Sequence, residues 1–178
     1  MIEILWHGRG GQGAFTAAKL LGAAFALGSE NNYSIAFPSF GPERRGAPIR
    51  AFTKLDTKPI GNRSEIGKAD YILFLDDTLF TDAALDDLTP EGKIIVNSKR
   101  IPSSGQIIAI DGDQIAKDIL RMPITNTIML GALTAVAPEI TIQQVEQAIE
   151  KYMPQKLHEK NKAAAGAAKA AAEQEAAR

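Results

Sequence analysis

The feature that most constrains this chain is the glycine-rich stretch Gly8–Gly13, which reads Gly-Arg-Gly-Gly-Gln-Gly. It follows Met1–Trp6, whose alternating apolar pattern predicts a short buried strand, and precedes Ala14–Leu27, whose apolar residues recur at helical spacing. A glycine loop between a strand and a helix lets the backbone approach a neighbour closely and directs the first free N–H groups of the helix at it. The stretch therefore predicts either contact with a phosphate or nucleotide, or a tight turn whose glycines only let the helix pack closely on the strand.

The glycines at positions 8, 10 and 13 match the dinucleotide fingerprint G-x-G-x-x-G. That fingerprint also needs an acidic residue at the end of the second strand, where it binds the ribose hydroxyls. In this chain the predicted second strand, Tyr33–Phe37, runs into Pro38-Ser39-Phe40, and Glu30 precedes the strand instead of following it. The missing acidic residue argues against an NAD site of the Rossmann type.

A second loop, Gly41–Pro48, places Arg44 and Arg45 next to Glu43 between glycines and prolines. It leaves the carboxyl end of the second strand, which is the edge where the glycine loop lies and where open α/β sheets bind ligands. Guanidinium groups suit phosphate or carboxylate, although Glu43 could neutralise one of them and the charges could simply be solvated. We expect the two loops to form opposite walls of a crevice for a phosphate or a partner.

Three further polar residues lie close to predicted strand ends. Asp76 and Asp77 follow the continuous apolar strand Tyr71–Leu75, and capping of the next helix is favoured over contact with ligand hydroxyls. His7 is expected to form hydrogen bonds in the loop, because no carboxylate or nucleophile is paired with it in sequence. We predict no catalytic residue in this chain, and therefore a binding or structural role.

Strands that alternate with helices predict an α/β fold: a single layered domain with a mostly parallel sheet flanked by helices, Rossmann-like, plus a C-terminal helical tail. The remaining predicted strands are Ile49–Leu55, Tyr71–Leu75, Lys93–Asn97 and Gln106–Ile110, and the remaining predicted helices are Thr78–Leu85, Asp113–Arg121, Ile128–Val136 and Thr141–Tyr152, the last with a capping box. We place the domain at residues 1–153 and the tail at 154–178.

The tail differs in composition from the rest of the chain. From Gln155 onward it consists largely of Ala, Lys and Glu, and Leu157 is its only large aliphatic residue. Its helix propensity is high, but it has almost no apolar face to bury. It is expected to be a solvated helical tail, or an arm that becomes ordered against a partner chain.

Composition excludes several functions. A net charge of −1 is no footprint for nucleic acid or an anionic membrane, and no apolar run approaches the roughly 20 residues of a membrane span. Without cysteine the chain forms no disulfide and no thiolate metal site, and it cannot ligate an iron–sulfur cluster through cysteine. His7 and His158 are far apart, so we predict no metal site, and with no signal-peptide pattern we expect a cytoplasmic location.

Four blocks together resemble the gamma subunit of the 2-oxoacid:acceptor oxidoreductases, the family of the pyruvate:ferredoxin oxidoreductases, also called pyruvate synthases. The first is His7–Gly13 followed by Thr16-Ala17-Ala18, and the second is the unusual proline–glycine–arginine block Phe37–Pro48. The other two, Asp70–Leu79 and Asn126–Ala132, follow in the same order as in the family. The resemblance covers residues 1–153.

The resemblance implies a subunit of an enzyme complex of anaerobic metabolism that oxidatively decarboxylates a 2-oxoacid and passes electrons to ferredoxin or another acceptor. Partner subunits would hold the thiamine diphosphate and the [4Fe–4S] clusters, and this chain by itself would bind none of them. The acyl group would be transferred to coenzyme A. Pyruvate is favoured over 2-oxoglutarate, branched-chain and aryl 2-oxoacids.

The site implied for this chain lies on the coenzyme A side of that chemistry. Its predicted contacts with the coenzyme A phosphates are Gly8, Arg9, Gly10, Gly11, Gln12, Gly13, Arg44 and Arg45, and the same groups could instead bind a neighbouring subunit. Two alternatives stay open: an independent Rossmann-like nucleotide-binding domain, and a scaffold whose loops make only protein contacts.

Overall fold

A computed structural model describes residues 1–39 and 44–178, which form one six-stranded sheet and its helices. The strands are β1 (Ile2–Arg9), β2 (Tyr33–Pro38), β3 (Pro48–Asp56), β4 (Ala69–Phe74), β5 (Leu88–Asn97) and β6 (Ile107–Ile110). The α-helices are α1 (Ala14–Leu27), α2 (Gly112–Ile115), α3 (Asn126–Leu133), α4 (Ile142–Tyr152) and α5 (His158–Ala176). Shorter helical turns are the 3₁₀ turns Asp77–Leu79, Asp82–Asp87 and Gln155–Leu157 and the π-helical turn Ala116–Leu120.

The strand order is β2-β3-β1-β4-β5-β6. β1, β4, β5 and β6 are parallel neighbours, and β3 runs antiparallel between β2 and β1. The predicted mostly parallel α/β sheet is therefore confirmed. It differs from the dinucleotide-binding order, in which a parallel β2 lies next to β1. Because β3 begins beside the end of β1, with Pro48 opposite Arg9, the loop that leads into β3 lies at the end of β1.

The α-helices cover one face of the sheet. Their apolar residues share a buried cluster with Ile4, Trp6 and Leu73 of the strands. The opposite face, which includes Leu5 and Phe74, is covered by residues from the 3₁₀ turns and connecting segments. The carboxyl edge of the sheet is formed by the segments that follow the parallel strands β1, β4, β5 and β6.

The predicted helix Thr78–Leu85 is wrong, because this segment forms two separate 3₁₀ turns. Between them Phe80 has an extended backbone. Its ring packs edge-on against Phe74, with 5.4 Å between ring centroids, on the face without long helices. Packing of Phe80 on the sheet thus replaces continuation of a regular helix.

The other predicted helices are present with shifted ends. α2 and the π-helical turn together cover most of the predicted 113–121, and α3 ends at Leu133 instead of Val136. The capping box of α4 is confirmed: the Gln144 amide donates to the Thr141 hydroxyl at 3.2 Å, and the Thr141 amide donates to the Gln144 side chain at 2.8 Å. Of the helices in the described ranges, none has the length and apolar character needed to cross a membrane.

The expectation that the C-terminal tail has no face to bury is wrong. α5 packs along α3, and Ala164, Ala165 and Ala168 are fully buried in the same cluster as the other helices. A Cβ at Gly131 of α3 would overlap the carbonyl oxygen of Ala165, so small residues on both helices allow a close approach. The segment is neither a solvated tail nor an arm that awaits a partner, whereas the division of the chain at residue 153 stays a prediction.

Candidate functional site

The glycine loop and the arginine loop are joined through their backbones. The Gly10 amide donates to the Ala47 carbonyl at 2.9 Å, and the Gly46 amide donates to the Gly10 carbonyl at 3.0 Å. A Cβ at Gly10 would overlap the carbonyl oxygen of Arg44. Glycine at this position is therefore required for the contact between the loops.

This contact corrects the expectation of a crevice whose two walls are the two loops. Residues 44–47 lie directly against Gly10, so the described part of the arginine loop leaves no gap there. Glu43, whose pairing with one of the arginines was the alternative to ligand binding, lies outside the described residues, as do Phe40, Gly41 and Pro42. The glycine loop and residues 44–47 form one continuous surface at the carboxyl edge of the sheet.

The side chains of Arg9 and Gln12 fix the position of this surface through contacts with Asp76. Both side chains donate to the same oxygen of Asp76, Arg9 from Nε at 3.2 Å and Gln12 from Nε2 at 3.0 Å. Arg9 also donates from Nη1 to the Gly46 carbonyl at 3.1 Å and from Nη2 to the Thr78 hydroxyl at 2.8 Å. Two predicted ligand-binding residues are thus engaged within the chain, and their contacts position the glycine and arginine loops.

Asp76 caps the turn that follows β4, as expected, because its Oδ1 accepts from the Thr78 amide at 3.0 Å. Burial by itself would raise its pKa. Hydrogen bonds from Thr78 and Gln12, together with the positive charge of Arg9, outweigh burial and hold the pKa of Asp76 below its ordinary value. Asp76 is therefore ionised at neutral pH and serves as a junction for three segments of the chain.

The cationic side of the surface consists of Arg44 and Arg45, which are both exposed. Within residues 1–39 and 44–178, neither guanidinium has a carboxylate oxygen at ion-pair distance. Gly11 and Gly13 have φ angles of 95° and 82°, and Gly13 is the N-cap residue of α1, which has no side-chain cap. The positive end of the α1 dipole and two arginines thus lie at one edge, an arrangement that favours anions.

A polar cleft of about 300 Å³ lies beside this surface, at the carboxyl ends of β4, β5 and β6. Its lining residues are Gln12, Leu75, Asp76, Asp77, Asn97, Ser98, Lys99, Arg100, Asp111, Asp113, Pro123 and Thr125. Sequence reasoning did not identify the residues from Asn97 onward. The available signal was the polar residues that directly follow the predicted strands Lys93–Asn97 and Gln106–Ile110.

The cleft residues are fixed by contacts with one another. Asn97 donates to the Leu75 carbonyl at 3.1 Å and to Asp113 at 2.9 Å, and it accepts from the Gly112 amide at 2.9 Å. Asp77 accepts from Arg100 and from Ser98, both at 2.6 Å, and these hydrogen bonds lower its pKa. The cleft is a preformed polar site.

The charge of the cleft disfavours phosphate. Four aspartates line it against one lysine and one arginine, the arginine being already paired with Asp77. The carboxylates do not converge as ligands either: the described part of the chain contains no group of three or more His, Cys, Asp or Glu residues able to hold a metal ion. An anion would therefore bind on the Arg44–Arg45 side and not in the cleft.

His7 is not the loop hydrogen-bonding residue that was expected. It belongs to β1, and its ring stacks on Phe74 with 4.4 Å between centroids and 5° between planes. Burial, and secondly the charge of Arg50, lower the pKa of His7 to about 4. His7 is therefore a neutral packing residue at physiological pH.

Comparison with known proteins identifies relatives over nearly the whole length of the chain. A family model described as pyruvate ferredoxin/flavodoxin oxidoreductase matches residues 3–171. The pyruvate/ketoisovalerate oxidoreductases common subunit gamma of Pyrococcus furiosus is 41% identical, and the alignment covers 93% of this chain and 94% of that protein. Pyruvate synthase subunit PorC of Methanothermobacter thermautotrophicus is also 41% identical, with 93% and 92% covered.

A solved structure extends the likeness to three dimensions. Pyruvate oxidoreductase subunit PORC of Thermotoga maritima superposes with a TM-score of 0.81 at 32% identity, and 95% of each chain is covered. Because the family model matches residues 3–171, it includes most of α5 as well as the glycine and arginine loops. The chain belongs to the pyruvate ferredoxin/flavodoxin oxidoreductase family, and within it to the gamma subunits.

Proposed function

We propose that this chain is the gamma subunit of a complex that oxidatively decarboxylates pyruvate with coenzyme A and passes the electrons to ferredoxin. The observation that carries the proposal is the 41% identity, over 93% of this chain, to subunits named for pyruvate synthase and for pyruvate/ketoisovalerate oxidoreductases. Ketoisovalerate is the second substrate candidate, and a cytoplasmic location belongs to the same proposal. In the overall reaction pyruvate and coenzyme A give acetyl-CoA, CO2, a proton and two electrons.

The redox and decarboxylation steps are assigned to partner subunits. The chain has no cysteine, so its residues do not fit the thiolate ligation of an iron–sulfur cluster. Thiamine diphosphate, held by a partner, would supply the carbanion chemistry of decarboxylation. The Pyrococcus relative is described as a subunit common to two oxidoreductases, which supports the placement of substrate choice outside the gamma subunit.

For this chain we propose a role in binding the phosphates of coenzyme A. The binding groups would be the exposed guanidiniums of Arg44 and Arg45 and the N–H groups of Gly11, Gly13 and the first turn of α1. Support comes from the uncapped start of α1 and the shared position of these groups at one edge. Arg9, Gly10 and Gln12 would position the loops and not contact the ligand, and Gly8 would pack against α1, where its Cβ position lies 3.2 Å from that of Ala14.

The test uses the complex purified through a tag on this chain. Dye reduction is measured with pyruvate, ketoisovalerate and 2-oxoglutarate, each with and without coenzyme A. Strictly coenzyme A-dependent activity with pyruvate is the expected result, and a purified assembly with no thiamine- or iron-containing partner and no 2-oxoacid activity would refute the proposal.

Variants then test the phosphate site. Replacement of both Arg44 and Arg45 by Ala removes two charge-assisted contacts, so the KM for coenzyme A should rise at least about tenfold. Arg63→Ala, on an exposed loop, is the matched control and should leave that KM unchanged. Loss of the subunit from the complex with an unchanged KM would favour the scaffold role, in which the loops make only protein contacts. Binding of NAD or ATP by the isolated chain in calorimetry would favour an independent nucleotide-binding domain.

A further inference from the structure

A groove of about 450 Å³ lies along the outer side of α1, away from the polar cleft. It is mainly apolar and is lined by Thr16, Lys19, Leu20, Ala23, Asn126, Thr127, Tyr152 and Met153. From Thr16 to Ala23 it extends about 10 Å along the helix. This length matches two turns of a second helix or a short extended segment.

α1 has the composition of a helix that is covered on all sides. Among its 14 residues Lys19 is the only charged one. The face toward the sheet and α4 is buried, whereas Thr16 and Lys19 are exposed and Ala23 is half-buried. A helix that is apolar on nearly every side is normally buried on every side. The groove side is thus an open side of a helix whose other residues are almost all apolar.

Tyr152 strengthens this conclusion. It forms one end of the groove, and its side chain is 58% exposed, the largest exposure of any large hydrophobic residue in the described ranges. Tyrosine is enriched at the centres of protein interfaces, because its ring contributes apolar area while its hydroxyl remains satisfied. Tyr152 thus has the exposure and the chemistry of an interface anchor.

The charge around the groove is positive. The Lys19 ammonium lies 4.8 Å from the centre of the Phe15 ring, and the Lys151 ammonium lies 5.6 Å from the centre of the Tyr152 ring. Within the described part of the chain no carboxylate lines the groove, and Glu150, the acidic neighbour of Lys151, pairs with Lys162 instead. A partner that fits must bring its own carboxylates.

We propose that the groove is the docking site for an apolar segment of another subunit, with acidic residues placed to meet Lys19 and Lys151. The inference uses the membership in a multisubunit assembly that is proposed above. A second copy of this chain fits poorly, because two-fold pairing of the groove would oppose like charges. Asn126 lines the groove and also lies against Gly13, so the docked segment would reach the glycine loop and couple assembly to the ligand edge.

Zero-length carbodiimide crosslinking of the native complex tests the proposal directly, because it joins amines to carboxylates only at ion-pair distance. The expected result is a crosslink from Lys19 or Lys151 to an Asp or Glu of a different subunit. Crosslinks of both lysines only to a second copy of this chain would overturn the proposal. Acetylation of both lysines in the intact complex at the same rate as the exposed Lys58 would also overturn the proposal, because docked lysines would be protected.

Variants give an independent readout that does not depend on 2-oxoacid activity. Lys19→Glu and Tyr152→Ala should each weaken binding of this subunit to the rest of the complex at least about tenfold, and Tyr152→Phe should restore it. Lys58→Glu is the matched charge control and should change binding less than about twofold. Unchanged binding in both groove variants would refute the docking site, even in a complex that oxidises pyruvate normally.

Discussion

Gly10 and Arg44 lie backbone against backbone, so closely that a Cβ at Gly10 would overlap the carbonyl oxygen of Arg44. Hydrogen bonds from Gly10 to Ala47 and from Gly46 to Gly10 flank this contact. The position of the two arginines is therefore set by a residue that has no side chain. The motif responsible was recognisable in the sequence as a dinucleotide fingerprint, yet its central glycine accommodates another loop of the same chain.

Gly10→Ala should displace the arginine loop, because the added methyl group cannot coexist with the Arg44 carbonyl. We expect a loss of about 1–3 kcal/mol in the free energy of unfolding and a higher KM for coenzyme A in the assembled complex. Gly61→Ala is the control, since a Cβ there meets no neighbour within 4 Å. Equal stability and equal KM in the two variants would contradict the proposed function of this contact.

Asp76→Asn should weaken the junction of the glycine loop, the arginine loop and the turn after β4. The variant keeps the shape of the side chain but loses the negatively charged carboxylate that accepts from Arg9 and Gln12. We therefore expect a loss of about 1–2 kcal/mol in the free energy of unfolding at neutral pH. The folded pKa of Asp76 lies below the ordinary 3.8, so its stabilisation is present above 3.8 and is lost as the pH falls through the lowered value.

Urea unfolding of Asp76→Asn and wild type at pH 7 and pH 3 measures this effect. The difference between the two proteins should shrink at the lower pH. Asp82→Asn, which changes an exposed carboxylate in the 3₁₀ turn Asp82–Asp87, should change stability by less than about 0.5 kcal/mol. A difference that is constant with pH would contradict the ionic role of Asp76.

His7 should make the fold sensitive to mild acid. Its pKa is about 4 in the folded chain against 6.5 for an ordinary histidine, so the unfolded state binds the proton more readily. Stability should therefore be complete above pH 6.5, fall as the pH decreases toward 4, and lose up to about 3 kcal/mol.

His7→Phe keeps a ring stacked on Phe74 and removes the titration. Its free energy of unfolding should vary less than that of the wild type between pH 6.5 and 4, as measured by urea denaturation at half-unit pH steps. Parallel pH curves for the two proteins would show that burial does not hold His7 neutral.

The contact between α3 and α5 should depend on Gly131. Gly131→Ala would place a methyl group where the Ala165 carbonyl lies, and we expect a loss of about 1–3 kcal/mol in the free energy of unfolding. Gly166→Ala, next to that contact but with no neighbour within 4 Å, should stabilise the helix by up to about 1 kcal/mol. Thermal melts of both variants give the comparison, and melting of both above the wild type would refute the close packing.

Sequence patterns correctly predicted those elements that depend on contacts between neighbouring residues. The capping box of α4 involves only Thr141 and Gln144, and the glycine loop with its flanking strand and helix occupies one continuous stretch. Phe80 shows where local reasoning fails, because it lies inside the predicted helix Thr78–Leu85 but its ring packs against Phe74 on the sheet. The cleft residues Asn97 and Asp113 were missed for the same reason: their contact joins the ends of different segments.

Local patterns and motifs along the chain were sufficient to predict the α/β class, the strand–loop–helix unit around Gly8–Gly13, the presence of two loops at one edge and the family. Tertiary structure alone decided that antiparallel β3 lies between β2 and β1, and that the arginine loop closes onto Gly10. It also decided that an alanine-rich helix packs against Gly131. Capping, propensity and periodicity act over a few neighbouring residues, whereas strand order and helix contacts depend on complementary shapes of segments far apart in the chain.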